Sequence, residues 1–157
     1  MITGVYGSTI SSYLTLEEKR IHTSVDASKV RYLFKFTNDL TKAVKYCYGR
    51  KDTTNDRYVK NTFTHNTTED LLTFKINFKP YGFWNYEVYE VTWLGTVTFT
   101  EDAAPSTETE VLVVNDNHGV VKGKVEEGKL YVQETVGSEQ VKYTKHTTTE
   151  TNYLYTN

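Results

Sequence analysis

The sequence predicts an all-β fold, an antiparallel β-sandwich of seven to nine strands with extended N- and C-terminal segments. Three observations predict it. Thr, Val and Tyr make up 56 of the 157 residues, against four Ala and one Met, and these three residue types suit a pleated sheet better than a helix. Apolar and polar residues alternate in several segments. Turn-forming residues separate these segments at intervals of about 8–12 residues, as in sandwich domains.

Alternation of apolar and polar residues places the strands. One strand is predicted from residue 29 onward, where residues 30–36 present a largely apolar face. The same period over residues 72–78 predicts the clearest strand of the chain. The Glu-Glu-Gly sequence at 126–128 predicts a short hairpin turn. The remaining predicted strands cover residues 42–48, 57–65, 83–91, 93–100, 110–115, 120–125 and 129–136.

The strand predicted at 83–91 is apolar on both faces. Trp84 and Tyr86 share one face, and Phe83 and Tyr89 lie on the other. We therefore expect this strand to be central or covered by a partner. A Pro-x-Gly turn leading into a Tyr-rich strand is typical of an immunoglobulin-like sandwich, in which a Tyr hydroxyl ties the corner to the backbone. Tyr81 or Tyr86 is the candidate for that role.

The pattern changes at both ends of the chain. We divide it into an N-terminal arm (1–28), a sandwich domain (29–137) and a C-terminal tail (138–157) that docks on a neighbour. Both ends are rich in Thr and Ser but carry a few large apolar residues, which disordered segments rarely do. We therefore expect arm and tail to lie on this subunit or on a neighbouring one. The candidate partner-binding residues are Tyr13, Leu14, Leu16, Tyr153, Leu154 and Tyr155.

Charge and cysteine content argue against several classes of protein. The 18 Lys and Arg and the 20 Asp and Glu give a net charge of −2 without a block of like charge, so we expect no direct contact with nucleic acid. The one cysteine, Cys47, has no disulfide partner in the chain, and we expect a small packed side chain. No apolar run is long enough to cross a membrane. No signal peptide is visible, so we expect synthesis in a reducing cytoplasm.

No constellation of residues typical of an enzyme is found, and we expect no catalytic, cofactor-binding or metal-binding residue. Phosphate-binding Gly loops and nucleophile motifs are missing. The four His, at 22, 65, 118 and 146, lie far apart, which favours exposed side chains over a metal cluster. Paired carboxylates for glycoside hydrolysis are the alternative, but the spacing selects no pair, and a solvated sheet face is favoured. The carboxylates concerned are Glu87, Glu90, Glu126, Glu127 and Glu134.

Aromatic residues around the 83–91 strand leave a binding function open. Exposed rings on a sheet can stack on sugars, as in a carbohydrate-binding module. Core packing is the alternative, and we favour it for Trp84 and Tyr86 because a chain with one Met and four Ile needs other large side chains to fill its interior. The rings concerned are Tyr81, Phe83, Trp84, Tyr86, Tyr89 and Trp93.

Two motifs resemble a known family. The sequence PYGFWNYEVYE at residues 80–90, followed about 35 residues later by VEEGKLYV at 125–132, resembles small virion proteins of crAss-like and related tailed bacteriophages. Residues 35–41 resemble the opening strand of that family. The similarity covers about residues 30–136. It departs from the family pattern at 101–106, where an Asn-Leu-Asp-Pro-like loop is expected.

The resemblance implies an immunoglobulin-like sandwich that acts as an auxiliary (decoration) capsid protein. Such a protein is made in the host bacterial cytoplasm and sits in many copies on the outer capsid surface. There it binds and reinforces the shell of the major capsid protein, without a cofactor, direct nucleic-acid contact or membrane. The alternatives are a neck or tail ring protein, a head-fibre adaptor, and the carbohydrate-binding module considered above.

Overall fold

The protein is described by a computed structural model that covers residues 1–55 and 57–134. Within these residues the fold is nearly all β, as predicted, with two short 3-10 turns at Ala27–Lys29 and Leu71–Thr73. No helix in this part of the chain is long and apolar enough to span a membrane. The strands are β1 (Ile2–Val5), β2 (Ile10–Leu14), β3 (Val30–Asn38), β4 (Val44–Tyr48), β5 (Arg50–Thr54), β6 (Val59–His65), β7 (Lys75–Ile76), β8 (Gly82–Thr92) and β9 (Val120–Gln133).

The strands form two facing sheets. The larger sheet has the order β1-β9-β8-β3-β4, and the smaller has the order β2-β6-β5, with β7 added beside β6. Within the larger sheet β1 runs parallel to β9, and the other neighbours are antiparallel. At both edges the chain crosses between the sheets, from β1 to β2 and from β4 to β5. The second crossing takes one residue, Gly49, whose missing Cβ leaves room for Asn61 Cβ, which would lie 2.6 Å away.

Aromatic side chains fill the core between the sheets. The inward face of β3 contributes Phe34 and Phe36, both fully buried. Each meets a ring of another element edge-to-face, at 4.8 Å between Phe34 and Phe63 and at 4.9 Å between Phe36 and Phe78. Such contacts add to the stabilisation that burial of the ring area provides. Trp84 is also fully buried, so its predicted place in the core is confirmed.

A second core lies on the outer face of the larger sheet. Residues 93–119 fold back over this face and cover the buried side chains of Leu33, Tyr48 and Val91. Phe99, in this connection, packs edge-to-face on Tyr48 at 5.1 Å. The Tyr48 hydroxyl donates a hydrogen bond of 2.7 Å to the carbonyl of Pro105. The outer apolar face of β8 is therefore covered in part by the chain itself.

The first 28 residues lie on this subunit, which is one of the two expected alternatives. They supply β1 to the larger sheet and β2 to the smaller one. Leu16 follows β2 and is fully buried. The segment also reaches β8, because the carboxylate of Glu90 accepts hydrogen bonds from the main-chain amides of Ile21 and His22.

The prediction of a strand at residues 72–78 is wrong except at Lys75–Ile76, which form β7. Asp70 caps the 3-10 turn by accepting hydrogen bonds from the amides of Leu72 and Thr73, a local alternative to strand pairing. Phe74 then takes a left-handed conformation with φ of 64°, which ends the alternation. Ile76 packs in the core between the sheets, whereas Phe74 packs in the second core. The apolar residues of this segment are therefore divided between two cores.

Four other strand predictions need correction. Residues 93–100 and 110–115 form no strand, because this connection lies over the outer face of the larger sheet. The strands predicted at 120–125 and 129–136 are one strand, β9, as far as the described residues extend. Gly128 is not in a turn; it stands opposite Tyr86, whose hydroxyl oxygen would lie 2.6 Å from a Cβ at that position. The strand β5, which is largely exposed and polar, was not predicted.

Neither tyrosine proposed for the corner takes that role within the described residues. No hydrogen bond from the hydroxyl of Tyr81 or Tyr86 to the main chain is found there. Among the described residues, the tyrosine hydroxyl that bonds to the backbone is that of Tyr48.

Candidate interaction surface

The predicted partner-binding residues of the N-terminal segment have different environments. Tyr13, on β2, is 58% exposed and packs edge-to-face against Tyr58 at 5.5 Å between ring centroids. Leu14 is half-buried against the core between the sheets, and Leu16 is fully buried in it. Of the three, Tyr13 is thus the one that presents most of its side chain to solvent. Tyr153, Leu154 and Tyr155 lie outside the described residues.

Charged residues on the outer face of the larger sheet form a network of ion pairs. Lys35 Nζ lies 2.5 Å from a carboxylate oxygen of Glu108 and 3.6 Å from one of Glu87. Lys124 Nζ lies 3.2 Å from the other Glu87 oxygen. The Tyr46 hydroxyl donates a further hydrogen bond of 2.6 Å to Glu108. Glu87 therefore stands between two ammonium groups.

This network favours ionised carboxylates. Burial raises the pKa of Glu108, but hydrogen bonds from Lys35 and Tyr46 outweigh it and hold the pKa below its usual value. A glycoside hydrolase needs the opposite, a carboxylic acid whose pKa is raised so that it can donate a proton. The arrangement therefore suits a charged surface better than proton transfer.

The five glutamates considered for hydrolysis are not brought together as one group. Glu87 and Glu127 are cross-strand neighbours on β8 and β9. Glu90 is fully buried on the other face of β8 and is engaged by two main-chain amides. Glu126 pairs with Lys19; burial raises its pKa, but the hydrogen bond from Lys19 gives a net lowering.

The histidines and the cysteine occupy separate places. His65 packs edge-to-face on Tyr6 at 4.6 Å, and His118 Nδ1 lies 2.8 Å from the carbonyl oxygen of Val113. In the part of the chain that the structure describes, no group of three or more His, Cys, Asp or Glu side chains could hold a metal ion. Cys47 is fully buried, and burial raises the pKa of its thiol. His146 lies outside the described residues.

The most exposed apolar surface lies on the connection between β8 and β9. We call it the apolar strip. It comprises Leu94, Val111, Val113, Val114 and Val120, with exposures of 60%, 92%, 79%, 101% and 52%. A cleft of about 300 Å³ lies among these side chains and is also lined by His22 and Lys122. Contiguous apolar surface of this kind marks association sites on soluble proteins.

The backbone of residues 111–114, which carry three side chains of the apolar strip, has few partners. Among the described residues, no main-chain amide of residues 111–114 donates a hydrogen bond. The segment is held at both ends. Glu110 accepts hydrogen bonds of 2.5 Å from the amide and hydroxyl of Ser106, and the carbonyl of Asn115 accepts one of 3.0 Å from the amide of His118. Residues 111–114 are therefore an apolar segment with main-chain donors available to a partner.

Sequence reasoning placed these valines in a strand of the sandwich and so missed them as surface residues. The available signal was the run of four apolar residues at 111–114. Such a run leaves neither face for solvent if it is a strand, and exposed runs of this length are avoided unless they serve a function.

Neither family models, nor curated proteins, nor solved structures give a match to this chain.

Proposed function

We propose that this protein is a non-enzymatic virion structural protein, an auxiliary (decoration) capsid protein that binds and reinforces the major capsid shell of a tailed bacteriophage. The apolar strip carries the proposal, because a subunit of an assembly must present apolar surface to its neighbours. The resemblance of residues 80–90 and 125–132 to small virion proteins supports it. A neck or tail ring protein or a head-fibre adaptor uses the same kind of surface and is the closest alternative.

We further propose that the sandwich is immunoglobulin-like, as the family resemblance implies. In that fold strands B, E and D share one sheet, and G, F and C, extended by C′, share the other. The observed orders β2-β6-β5 and β9-β8-β3-β4 support this assignment. The corresponding strands are β2 for B, β3 for C, β4 for C′, β5 for D, β6 for E, β8 for F and β9 for G.

This assignment gives the apolar strip a position that supports a binding role. The connection from β8 to β9 corresponds to the F–G loop, and that from β2 to β3 corresponds to the B–C loop. In variable domains these two loops lie at one end of the sandwich and form part of the binding surface. Here the two connections are in contact, since the amide of Trp93 donates a hydrogen bond of 3.0 Å to the carbonyl of Lys29.

The test uses the intact chain, since deleting 1–28 removes β1, β2 and the buried Leu16. Purified protein is mixed separately with emptied shells, with isolated tails and with unrelated shells of similar size. We expect saturable cosedimentation with the cognate shells at a fixed number of copies per capsid subunit. Saturable binding to tails alone would favour the ring or adaptor function. No binding to either particle would overturn the proposal.

One observation favours the carbohydrate-binding alternative. Phe83 is 46% exposed on the outer face of β8, and its ring lies 4.7 Å from that of Tyr131 with a tilt of 39°. Against it, Trp84 and Trp93 are fully buried and are not available to stack on a sugar. Calorimetric titration with host surface glycans tests this function. Binding that is lost in Phe83→Ala would support it, and no heat with the unaltered protein would exclude it for those glycans.

A further inference from the structure

We infer that the apolar strip is a self-association surface, on which the 111–114 segments of two copies pair antiparallel about a two-fold axis. The inference rests on the proposed function in naming one neighbour of an assembly subunit. A two-fold contact uses the same surface on both copies, so one apolar segment is enough to build it.

The main chain provides the first argument. An unpaired backbone with β-branched side chains is suited to the addition of a strand, in which hydrogen bonds to the partner backbone give affinity. The amides of residues 111–114 meet this requirement within the described chain, and three of the four side chains are Val. The carbonyl oxygen of Val113 contacts His118 Nδ1 and keeps a second lone pair for a partner. The sheet edges are less available, because the chain crosses between the sheets at β1–β2 and at β4–β5. The edge strand β5 is polar, with the sequence Arg-Lys-Asp-Thr-Thr.

Charge selects the register. In an antiparallel pair about a two-fold axis the central residue faces its own copy, so the centre falls on Leu112 or on Val113. A centre at Leu112 places Val111 opposite Val113 and Glu110 opposite Val114. A centre at Val113 would place Glu110 opposite Asp116, and an in-register parallel pair would place Glu110 opposite its own copy. Like charges directly opposite one another are destabilising. The register centred on Leu112 avoids them across residues 110–114 and pairs valine with valine on both sides of the axis.

The size of the surface is also suitable. The apolar strip has five aliphatic side chains, each of them at least 52% exposed, and amounts to a patch on the order of several hundred Å². Two such patches and their polar rims bury on the order of 1,200 Å², which is the lower bound for a specific interface. The net charge of −2 leaves little long-range repulsion between copies.

Measurement of mass in solution by sedimentation tests the surface. We expect the full chain, of 18.1 kDa, to form a dimer. We expect the double variant Val111→Lys/Val113→Lys to be a monomer with an unchanged circular dichroism spectrum, because each lysine would lie directly opposite a lysine of the other copy. Leu40→Lys is the matched control, since Leu40 is 88% exposed outside the strip, and it should remain a dimer. A monomeric unaltered protein or a dimeric double-lysine variant would overturn the inference.

Disulfide trapping tests the register. In the register centred on Leu112, this residue lies opposite its own copy and within reach of a disulfide, whereas Val111 lies opposite Val113. On mild oxidation, Leu112→Cys should give a covalent dimer and Val111→Cys should not. The native Cys47 is buried and does not interfere. No covalent dimer from Leu112→Cys, or an equal yield from Val111→Cys, would overturn the antiparallel register.

A chain truncated after Glu134 distinguishes between two possible occupants of the apolar strip, a second copy of the chain and residues 135–157. We expect this truncated chain to remain a dimer. If it becomes a monomer, residues 135–157 occupy the strip and the inference is wrong. The proposed function is tested independently: a monomer that coats shells overturns the inference alone, and a dimer that binds no particle overturns the function alone.

Discussion

The main-chain amide of His22 donates a hydrogen bond of 3.0 Å to the carboxylate of Glu90, which is fully buried on β8. A second hydrogen bond of 2.6 Å reaches the same carboxylate from the adjacent amide of Ile21. One acidic side chain thus attaches the connection between β2 and β3 to the larger sheet. This connection lines one side of the cleft at the apolar strip.

Replacing this carboxylate should therefore be costly. Glu90→Ala removes two charge-assisted hydrogen bonds and leaves their donors unpaired, so we expect the free energy of unfolding to fall by about 2–4 kcal/mol. Urea unfolding measures the change. Glu127→Ala is the matched control, because this side chain is 66% exposed, and it should change the stability by less than about 0.5 kcal/mol. Similar values for the two variants would show that Glu90 does not anchor the connection.

Two predicted partner-binding residues of the N-terminal segment differ in burial: Leu16 lies in the core and Tyr13 lies at the surface. Leu16→Ala opens a cavity between the sheets and should lower the unfolding free energy by about 2–5 kcal/mol. Tyr13→Ala, at a ring that is 58% exposed, should lower it by no more than about 1 kcal/mol. Thermal and urea unfolding measure both. Equal losses would contradict the placement of Leu16 in the core.

Gly119 allows the second core to close. A Cβ at this position would lie 2.6 Å from Trp93 Cζ2 and 2.9 Å from Val91 Cγ1, both in buried side chains. Gly119→Ala should therefore displace the indole and lower the unfolding free energy by about 1–3 kcal/mol. Near-ultraviolet circular dichroism reports the displacement of Trp93, and urea unfolding reports the stability. An unchanged spectrum and stability would show that the ring moves at no cost.

Tyr46 should make the stability depend on pH in alkaline solution. Burial, together with the hydrogen bond to Glu108, raises the pKa of Tyr46 to about 12 from the ordinary value of 10.0. The folded state therefore favours the protonated phenol. This contribution is complete below pH 10 and is lost as the pH rises towards about 12. In urea unfolding between pH 9 and pH 12, Tyr46→Phe should lose stability less steeply than the unaltered protein. Parallel curves would contradict this role.

The larger sheet could be predicted from the sequence where one strand lies between two layers. In β3, Phe34 and Phe36 alternate with polar residues because one face meets the core between the sheets. In β8, apolar residues on both faces predicted a central or covered strand, and the strand is both. These patterns are local, so they survive without knowledge of the partner strands.

The features that were predicted wrongly depend on contacts between residues that are distant in the sequence, which a local pattern does not contain. Gly128 resembles a turn residue, but it is needed because Tyr86 on the neighbouring strand approaches its backbone. Phe74 continues an alternation, but its left-handed conformation sends the following residues to another core. The valines at 111–114 have strand propensity, and only the path of the connection between β8 and β9 shows that no strand among the described residues pairs with them. The apolar strip was therefore missed for the same reason that a turn was wrongly predicted at Gly128: the deciding contacts are with residues distant in the sequence.

The parallel pairing of β1 with β9 has a mechanical consequence. Ile2 lies opposite Leu130 and Val5 lies opposite Gln133, so a force that draws the N terminus and residue 133 apart acts along both strands in opposite directions. The hydrogen bonds of this ladder are then loaded together in shear, rather than broken one after another as in an antiparallel hairpin that is pulled open at its ends. The sandwich is therefore oriented to resist tension applied along β1 and β9.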